Sequence, residues 1–402
     1  MDRKLKLTWL VPDDRGGGVI SVALSCVRQA HAAGHEVTLL LVLPPTGWLD
    51  PAEYRGCTLA TLGLGDGALD TPTALLRWLE AYPQDVLVLN ACEQANPVIP
   101  YLPPNLRCLY AVHDTAMGHW QTAVQFEEEL DVIIAVSEVT ARQFRDRLRE
   151  PAKLHVVHNG SLYPAQPVDE GPRAQDMVFP FGDNQTKGAD DLIKLWVELG
   201  RSGFAGALHW YGEMRPEFKR QVRALPGAER ICLYGRVQRA ELFAAAARCR
   251  VFLMLSRADA FGMVTVETMS MGCVPVAWEI DTGTREIVPE GLGCFAPLGD
   301  FPALATAVWR ALELQPVVGP AEMARAREDF NEETMWGGYA RVVAAAMERP
   351  AALRPLVGKA PAAYQPPRRY FQKLPRWLRG FLRNWAGRSP RLGYWVRNLR
   401  GR

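Results

Sequence analysis

Two acidic residues in the stretch SRADAFGMVTVETMSMGCVPV, Ser256 to Val276, are set apart by their spacing: Asp259 and Glu267, with seven residues between them. A glycine, Gly262, and the opening of a helix expected from about Phe261 to Met271 fill the interval, and Gly272 stops that helix. A helix start leaves its first amides without intrahelical acceptors and attracts anions. Carboxylates placed there admit two readings. Asp259 caps the helix while Glu267 faces water, or the amides of Gly262, Met263 and Val264 hold a phosphate while the carboxylates accept hydrogen bonds from hydroxyls beside it. Capping accounts for Asp259 but gives no reason for Glu267 or for the glycine turn.

Three other positions could do related chemistry. Gly17 and Gly18 lie between the strand-like LTWLV and a helical run, where backbone amides can approach an anion. They are not a dinucleotide fingerprint, since G-x-G-x-x-G is absent, and a plain tight turn fits them as well. His113 closes the run CLYAVH and precedes Asp114 and Thr115; strand ends of this kind bind ligands in open α/β sheets, although a lone histidine also serves structure. Lys187, followed by Gly188 in GDNQTKGADDLIKLW, sits just before a helix and suits a phosphate, as an ordinary surface lysine also could. There is no D-x-D pair, H-E-x-x-H, Cys/His cluster, G-x-S-x-G or Walker loop. The expectation is therefore no metal and no cofactor.

The elements that must hold these residues follow from the apolar pattern. Strand-length runs alternate with helix-length amphipathic segments: LKLTWLV, EVTLLLVL, DVLVLN, CLYAVH, DVIIAVS and LHVVHN, then MVFPFG, ALHWYG, RICLYG, VFLMLS and VPVAW. Nearly continuous apolar strands are those of parallel sheets covered on both faces, so the pattern predicts two doubly wound α/β domains. At 402 residues the chain is long enough for two cores. The Pro-rich polar stretch from Tyr163 to Gln175 marks the boundary. The expected domains are 1–168, 169–349 and a basic extension, 350–402.

Composition is that of a soluble protein, 48% hydrophobic and 22% charged, without an apolar run near the ~20 residues of a membrane span. The basic start MDRKLKLTWLVPDD lacks a signal-peptide core, so cytoplasmic residence is expected. Eight scattered cysteines without a C-x-x-C pair read as reduced thiols. The net charge of +2 conceals a split: from Pro350 onward there are 13 Lys and Arg and no acid, leaving 33 basic against 44 acidic residues before it. Leu374, Trp377, Leu378, Phe381, Leu382 and Trp385 recur at helical spacing with Arg376, Arg379 and Arg383 between them. Such a basic, aromatic segment suits an anionic membrane surface, or it docks on the acidic body. It is weak evidence for nucleic acid, and none is expected as a partner.

Together these motifs resemble the retaining GT-B glycosyltransferases of family 4, the group 1 glycosyl transferases. Carrying the resemblance are Gly17 and Gly18 followed by GHEV from Gly34, AVSEVTARQF, VVHNGS, the Lys187–Gly188 pair, WYGE around Gly212, YGRV around Arg236, the acidic pair before MSMGCVPVAW, TGTREIV and the closing AREDFNEETMWGGYARVVAAAM. They run from about residue 5 to 348. The resemblance implies two Rossmann-like domains facing a central cleft. It places Gly17 and Gly18 beside the donor phosphates, His113 near the donor sugar, Lys187 on the departing diphosphate, Asp259 on sugar hydroxyls and Glu267 on the nucleotide ribose. Backbone groups from Phe261, Gly262, Met263 and Val264 would hold sugar and phosphates, with Gly212 also on the donor side. Two departures stand out. Asp259 occupies a position usually held by Glu, and the loop before Lys187 reads Gly182-Asp183, where the family places an Arg. One diphosphate contact is missing unless Arg236 or Arg257 supplies it.

The reaction so implied moves a sugar from a nucleoside-diphosphate sugar to a hydroxyl with retention, on a glycan or lipid-linked acceptor of a polysaccharide pathway. The extension would keep the enzyme at the inner face of the plasma membrane. A sugar-nucleotide epimerase on the same fold and a non-catalytic scaffold are the alternatives. Turnover of a nucleotide-sugar with and without acceptor separates the first; failure to bind any nucleotide-sugar would favour the second.

Overall fold

Short apolar runs bounded by glycine or polar turns become strands in both halves of the chain. The computed structural model describes residues 3–15, 17–65, 70–164 and 173–365. In the first half the strands are β1 (Lys6–Val11), β2 (Glu36–Leu41), β3 (Thr58–Thr61), β4 (Val86–Asn90), β5 (Arg107–Val112), β6 (Val132–Ala135) and β7 (Leu154–Val156). All pairs are parallel, in the order β3-β2-β1-β4-β5-β6-β7, with Leu7 in register between Val37 and Val86. The second half supplies β8 (Met177–Phe179), β9 (Leu208–Trp210), β10 (Ile231–Leu233), β11 (Val251–Met254), β12 (Val274–Trp278) and β13 (Cys294–Ala296). These too are parallel, in the order β10-β9-β8-β11-β12-β13. Two doubly wound, Rossmann-like sheets result, as the alternating pattern predicts.

Strand order reverses between β1 and β4 and again between β8 and β11. At such a switch point the connections on either side diverge, leaving a crevice at the strand C-terminal ends. Central strands are apolar on both faces: Leu7, Trp9 and Leu10 in β1 and Val251, Phe252 and Leu253 in β11 have no exposed surface. The eight cysteines are all free, and six of them are buried. Burial pushes the thiols of Cys92, Cys108 and Cys273 up to about 12, so they remain protonated.

The chain divides into two compact units that differ from the expected domains. One contains Met1–Leu162 and the chain from Asn331 to the end of the described residues; the other is Tyr163–Phe330. The sequence reading ends the second domain at 349, yet the helix Glu332–Glu348 belongs to the first unit. Its partners explain why. Glu332 accepts from Arg28 Nη2 at 2.7 Å and from Gln29 Nε2 at 2.8 Å, both on the helix Gly18–Ala32, and Trp336 lies against Trp9 at 6.3 Å between ring centroids.

After this helix the chain to 365 is turns and irregular backbone, where a helical extension from 350 was expected. It is fastened to the first unit by Arg354, whose guanidinium pairs with Asp131 at 2.6 Å and donates to the carbonyls of Pro103 and Leu106. The apolar and arginine stripe from Leu374 to Trp385 lies outside the described residues. Among the described residues no helix is long and apolar enough to cross a membrane.

Candidate active site

At the switch point of the second unit, β8 runs into a loop that returns through a 3₁₀ turn, Gln185–Lys187, to the helix Ala189–Arg201. Asn184 builds the turn: its Oδ1 accepts from the amides of Thr186 at 3.0 Å and Lys187 at 3.3 Å. Gly188 then adopts φ 90°, and a Cβ there would lie 2.4 Å from the carbonyl oxygen of Leu255. Only glycine lets this loop rest on the end of β11. Across the same contact the Arg257 amide donates to the Thr186 carbonyl at 3.1 Å. The consequence is an ion pair between Lys187 Nζ and Asp259 Oδ2, joining residues 72 positions apart. The Phe181 ring lies beneath the ammonium, 5.5 Å away.

Asp259 does not cap the next helix, whose N-cap is Gly262 without a side-chain hydrogen bond. Asp259 Oδ1 accepts the Phe261 amide at 3.3 Å, while Oδ2 holds the lysine. Gly262 turns the chain at φ 101°, and the helix that follows is Met263–Met269, shorter at both ends than the expected 261–271. The left-handed glycine delays its start. At its far end Cys273 N donates back to the Thr268 carbonyl at 3.1 Å, closing the turn around the left-handed Gly272. The amides of Gly262, Met263 and Val264 fall at that start.

Glu267 does not face water. It is 7% exposed, and its Oε1 lies 3.0 Å from Arg239 Nε, at the start of the helix Arg239–Arg248. Arg239 was not singled out by sequence reasoning. Its only signal was a cation at a helix start, where the macrodipole disfavours one.

The two cations offered for the missing loop arginine are placed differently. Arg257 is committed to Asp191, with its Nε 3.0 Å and Nη2 2.7 Å from the carboxylate oxygens, and so does not stand ready for a diphosphate. Arg236 is exposed in the loop after β10. Asp183 itself, in the position compared with that arginine, accepts from Arg215 Nε at 2.5 Å. Gly212 follows β9, and its amide donates to the Gly235 carbonyl at 3.0 Å, keeping the loops after β9 and β10 together.

In the first unit the switch point carries other chemistry. Gly17 has φ 113° and Gly18 begins the helix Gly18–Ala32. Asn90, the last residue of β4, donates from Nδ2 to the Val19 carbonyl at 3.2 Å, and its Oδ1 lies 2.5 Å from His113 Nε2. Asn90, which sequence reasoning missed, thus ties His113 to the helix behind the glycines. Desolvation, reinforced by the nearby His119, lowers the His113 pKa to about 4, so the imidazole is neutral at pH 7. The structure brings Lys187, Asp259 and the Phe261–Val264 segment together in one unit with Glu267 one turn deeper; Gly17, Gly18 and His113 gather in the other. Among the described residues, no group of three or more His, Cys, Asp or Glu is arranged to hold a metal ion.

Comparison with known proteins gives matching results for both halves. Residues 16–161 match the family model described as Glycosyltransferase Family 4, and residues 177–314 match that described as Glycosyl transferases group 1. No curated protein matches the sequence. Solved structures share the GT-B fold at low identity. A glycosyltransferase from Rickettsia africae is 14% identical with a TM-score of 0.69, covering 86% of this chain and 99% of its own. Anabaena HepE, crystallised with UDP and glucose, is 17% identical with a TM-score of 0.69, covering 85% of this chain and 100% of its own. The pneumococcal O-GlcNAc transferase GtfA, in complex with UDP and GlcNAc, is 10% identical with a TM-score of 0.73, covering 86% of this chain and 100% of its own.

Proposed function

We propose that this chain, which belongs to the family 4, group 1 glycosyltransferases, transfers a sugar from a nucleoside-diphosphate sugar to a hydroxyl acceptor with retention and without a metal ion. The observation that carries the site assignment is the Lys187–Asp259 pair at the β8/β11 switch point. A cation and a hydroxyl acceptor held side by side at strand ends suit a ligand with a diphosphate next to a polyol.

In this reading Lys187 stabilises the diphosphate as the bond from the anomeric carbon to its phosphate oxygen breaks. The amides of Gly262, Met263 and Val264 share that charge, that of Phe261 being taken by Asp259. Such preorganised donors matter because the charge develops only during the reaction. The acceptor oxygen attacks from the face the phosphate leaves, and its proton passes to the departing phosphate oxygen, so no protein nucleophile is needed. Asp259 holds sugar hydroxyls, its side chain one methylene shorter than the family's usual Glu. Glu267 accepts the ribose hydroxyls. The family's pattern assigns Gly17, Gly18 and a neutral His113 to the donor as well, with Gly212 and Arg236 on its nucleotide side.

The acceptor we propose is a glycan or a lipid-linked saccharide. The basic segment after 366 supports this from sequence alone: basic residues near an anionic leaflet contribute about 1 kcal/mol each. Sedimentation with anionic vesicles, comparing the full chain with one lacking residues 366–402, tests that part; equal, salt-insensitive recovery in the supernatant argues against it. The function itself is tested by turnover of UDP-, GDP- and ADP-sugars with saccharide acceptors. Product with an inverted anomeric centre would remove the retaining assignment.

A further inference from the structure

Glu267 is approached by the helix that follows the loop after β10, in which Arg236 lies. Arg239, the first residue of the helix Arg239–Arg248, places Nε 3.0 Å from Glu267 Oε1. Its guanidinium lies over the Phe243 ring at 5.2 Å, one helical turn along. Phe243 is buried and stands edge-on to Tyr163 at 6.5 Å and 75°. Tyr163 is fixed in turn: its hydroxyl donates to the Phe330 carbonyl at 2.8 Å, and Arg327 covers its ring at 5.8 Å. Arg327 also donates to the Ser270 carbonyl at 3.3 Å, and Ser270 Oγ to the Glu267 carbonyl at 2.7 Å. The same shell therefore holds Glu267 by its backbone and by its carboxylate.

Helix stability gives no reason for Arg239. A cation in the first turn faces the positive end of the macrodipole, and an acid is favoured there; Glu241 already occupies that turn. Surface ion pairing is no better an explanation, because the Glu267 side chain is only 9% exposed and that of Arg239 30%. The 3.0 Å approach of Arg239 Nε to the carboxylate is an ion pair and not a hydrogen bond, so the guanidinium, pinned on an aromatic face, holds the carboxylate in place through its charge. A ribose offers two neighbouring hydroxyls, and accepting both requires a carboxylate whose plane is fixed before the ligand arrives.

We propose that Arg239 is a positioning residue for ribose recognition: it sets the orientation of Glu267 and thereby the enzyme's preference for ribonucleotides over deoxynucleotides. This rests on the reading of Glu267 as the ribose acceptor. The test measures dissociation constants of UDP, GDP and ADP and of their 2′,3′-dideoxy counterparts for the wild type, Arg239→Ala, Arg239→Lys and Glu267→Gln. The best wild-type binder should lose about 10–100-fold without its ribose hydroxyls, the range for hydrogen bonds to a charged group. In Arg239→Ala the ribonucleotide weakens by about tenfold or more while the dideoxy form is unchanged, so the ratio shrinks, and Arg239→Lys restores part of it. In turnover, Arg239→Ala raises the donor KM more than it lowers kcat.

A full ratio in Arg239→Ala, or an equal loss of both nucleotides, overturns the proposal, since a purely structural or phosphate-binding role moves both alike. A full ratio in Glu267→Gln instead overturns the ribose assignment on which the proposal stands. The two failures are therefore distinguishable in one set of titrations.

Discussion

The two switch points share a strand order and differ in charge. Between β1 and β4 the crevice holds a neutral hydrogen-bonded pair, Asn90 and His113, and Asn90 Nδ2 also fastens a helix start by donating to the Val19 carbonyl. Between β8 and β11 the acids stand beside cations, Asp259 with Lys187 and Glu267 with Arg239. Topology makes both crevices, but the side chains decide what each can hold. An internal ion pair keeps a lysine in place before an anion arrives, and the anion must then compete with the carboxylate. In the proposed reading the cation of the second unit meets the diphosphate, while the neutral His113 of the first lies near the donor sugar.

The largest effect expected from breaking this contrast is at Lys187. Lys187→Ala should lower kcat by about 10²–10³, as for loss of one preorganised charge-stabilising donor, with an unchanged unfolding transition. Wild-type turnover by this variant would remove the site assignment. Asp259→Asn sharpens the comparison further, because it releases the lysine without deleting it. Turnover should fall by about 10–100-fold, while affinity for the bare nucleoside diphosphate holds or improves. If both fall together, Asp259 serves the diphosphate site and not the sugar.

Glu322 is the control inside the same unit. It is a fully buried carboxylate with neither oxygen hydrogen-bonded, and burial pushes its pKa up to about 9 from an ordinary 4.5. The folded state therefore keeps a proton that the unfolded state loses, and stability declines as pH rises from about 4.5 to about 9. Glu322→Gln should unfold with little difference from wild type near pH 4.5 and be more stable by on the order of 1 kcal/mol or more at pH 8. Denaturant titrations at the two pH values check this; a constant difference would mean the carboxylate is ionised throughout.

His113 shows the opposite sign. With its pKa lowered to about 4, the folded state refuses a proton that the unfolded state takes below about 6.5, so its contribution to stability is lost as pH falls from about 6.5 to 4. The pH profile of kcat/KM should show no inflection from it near 6.5, and an inflection abolished by His113→Gln would contradict the neutral assignment. The smallest effect expected is none at all: exhaustive chelation should leave turnover unchanged, and loss restored by Mg²⁺ or Mn²⁺ would overturn metal independence.

Much of this was legible in the residues. Continuous apolar runs announced the buried parallel strands, and the Asp259/Glu267 spacing announced the loop and helix that bear them. The two strands that went unread, β3 and β13, lie at sheet edges; β3 is exposed or half-exposed along its length, and β13, though buried at Cys294 and Ala296, is too short to show an apolar run. Lys187 could be placed before a helix, but its pairing with Asp259 required the close approach that Gly188 permits at Leu255. Arg239 and Asn90 were illegible because their roles come from partners distant in sequence. The helix Glu332–Glu348 was misassigned for the same reason, since its period shows an apolar face and not which sheet's helix that face meets.

The central claim, that the β8/β11 switch point binds the diphosphate of a nucleotide-sugar through Lys187, is tested most directly by calorimetric titration. UDP-, GDP- and ADP-sugars are titrated into the wild type and into Lys187→Ala at matched salt. The account predicts one-to-one binding of at least one of them, weakened about tenfold or more in the variant, as expected when a charge-assisted contact is removed. Binding of equal strength to both proteins, or no heat from any nucleotide-sugar with the wild type, would contradict it.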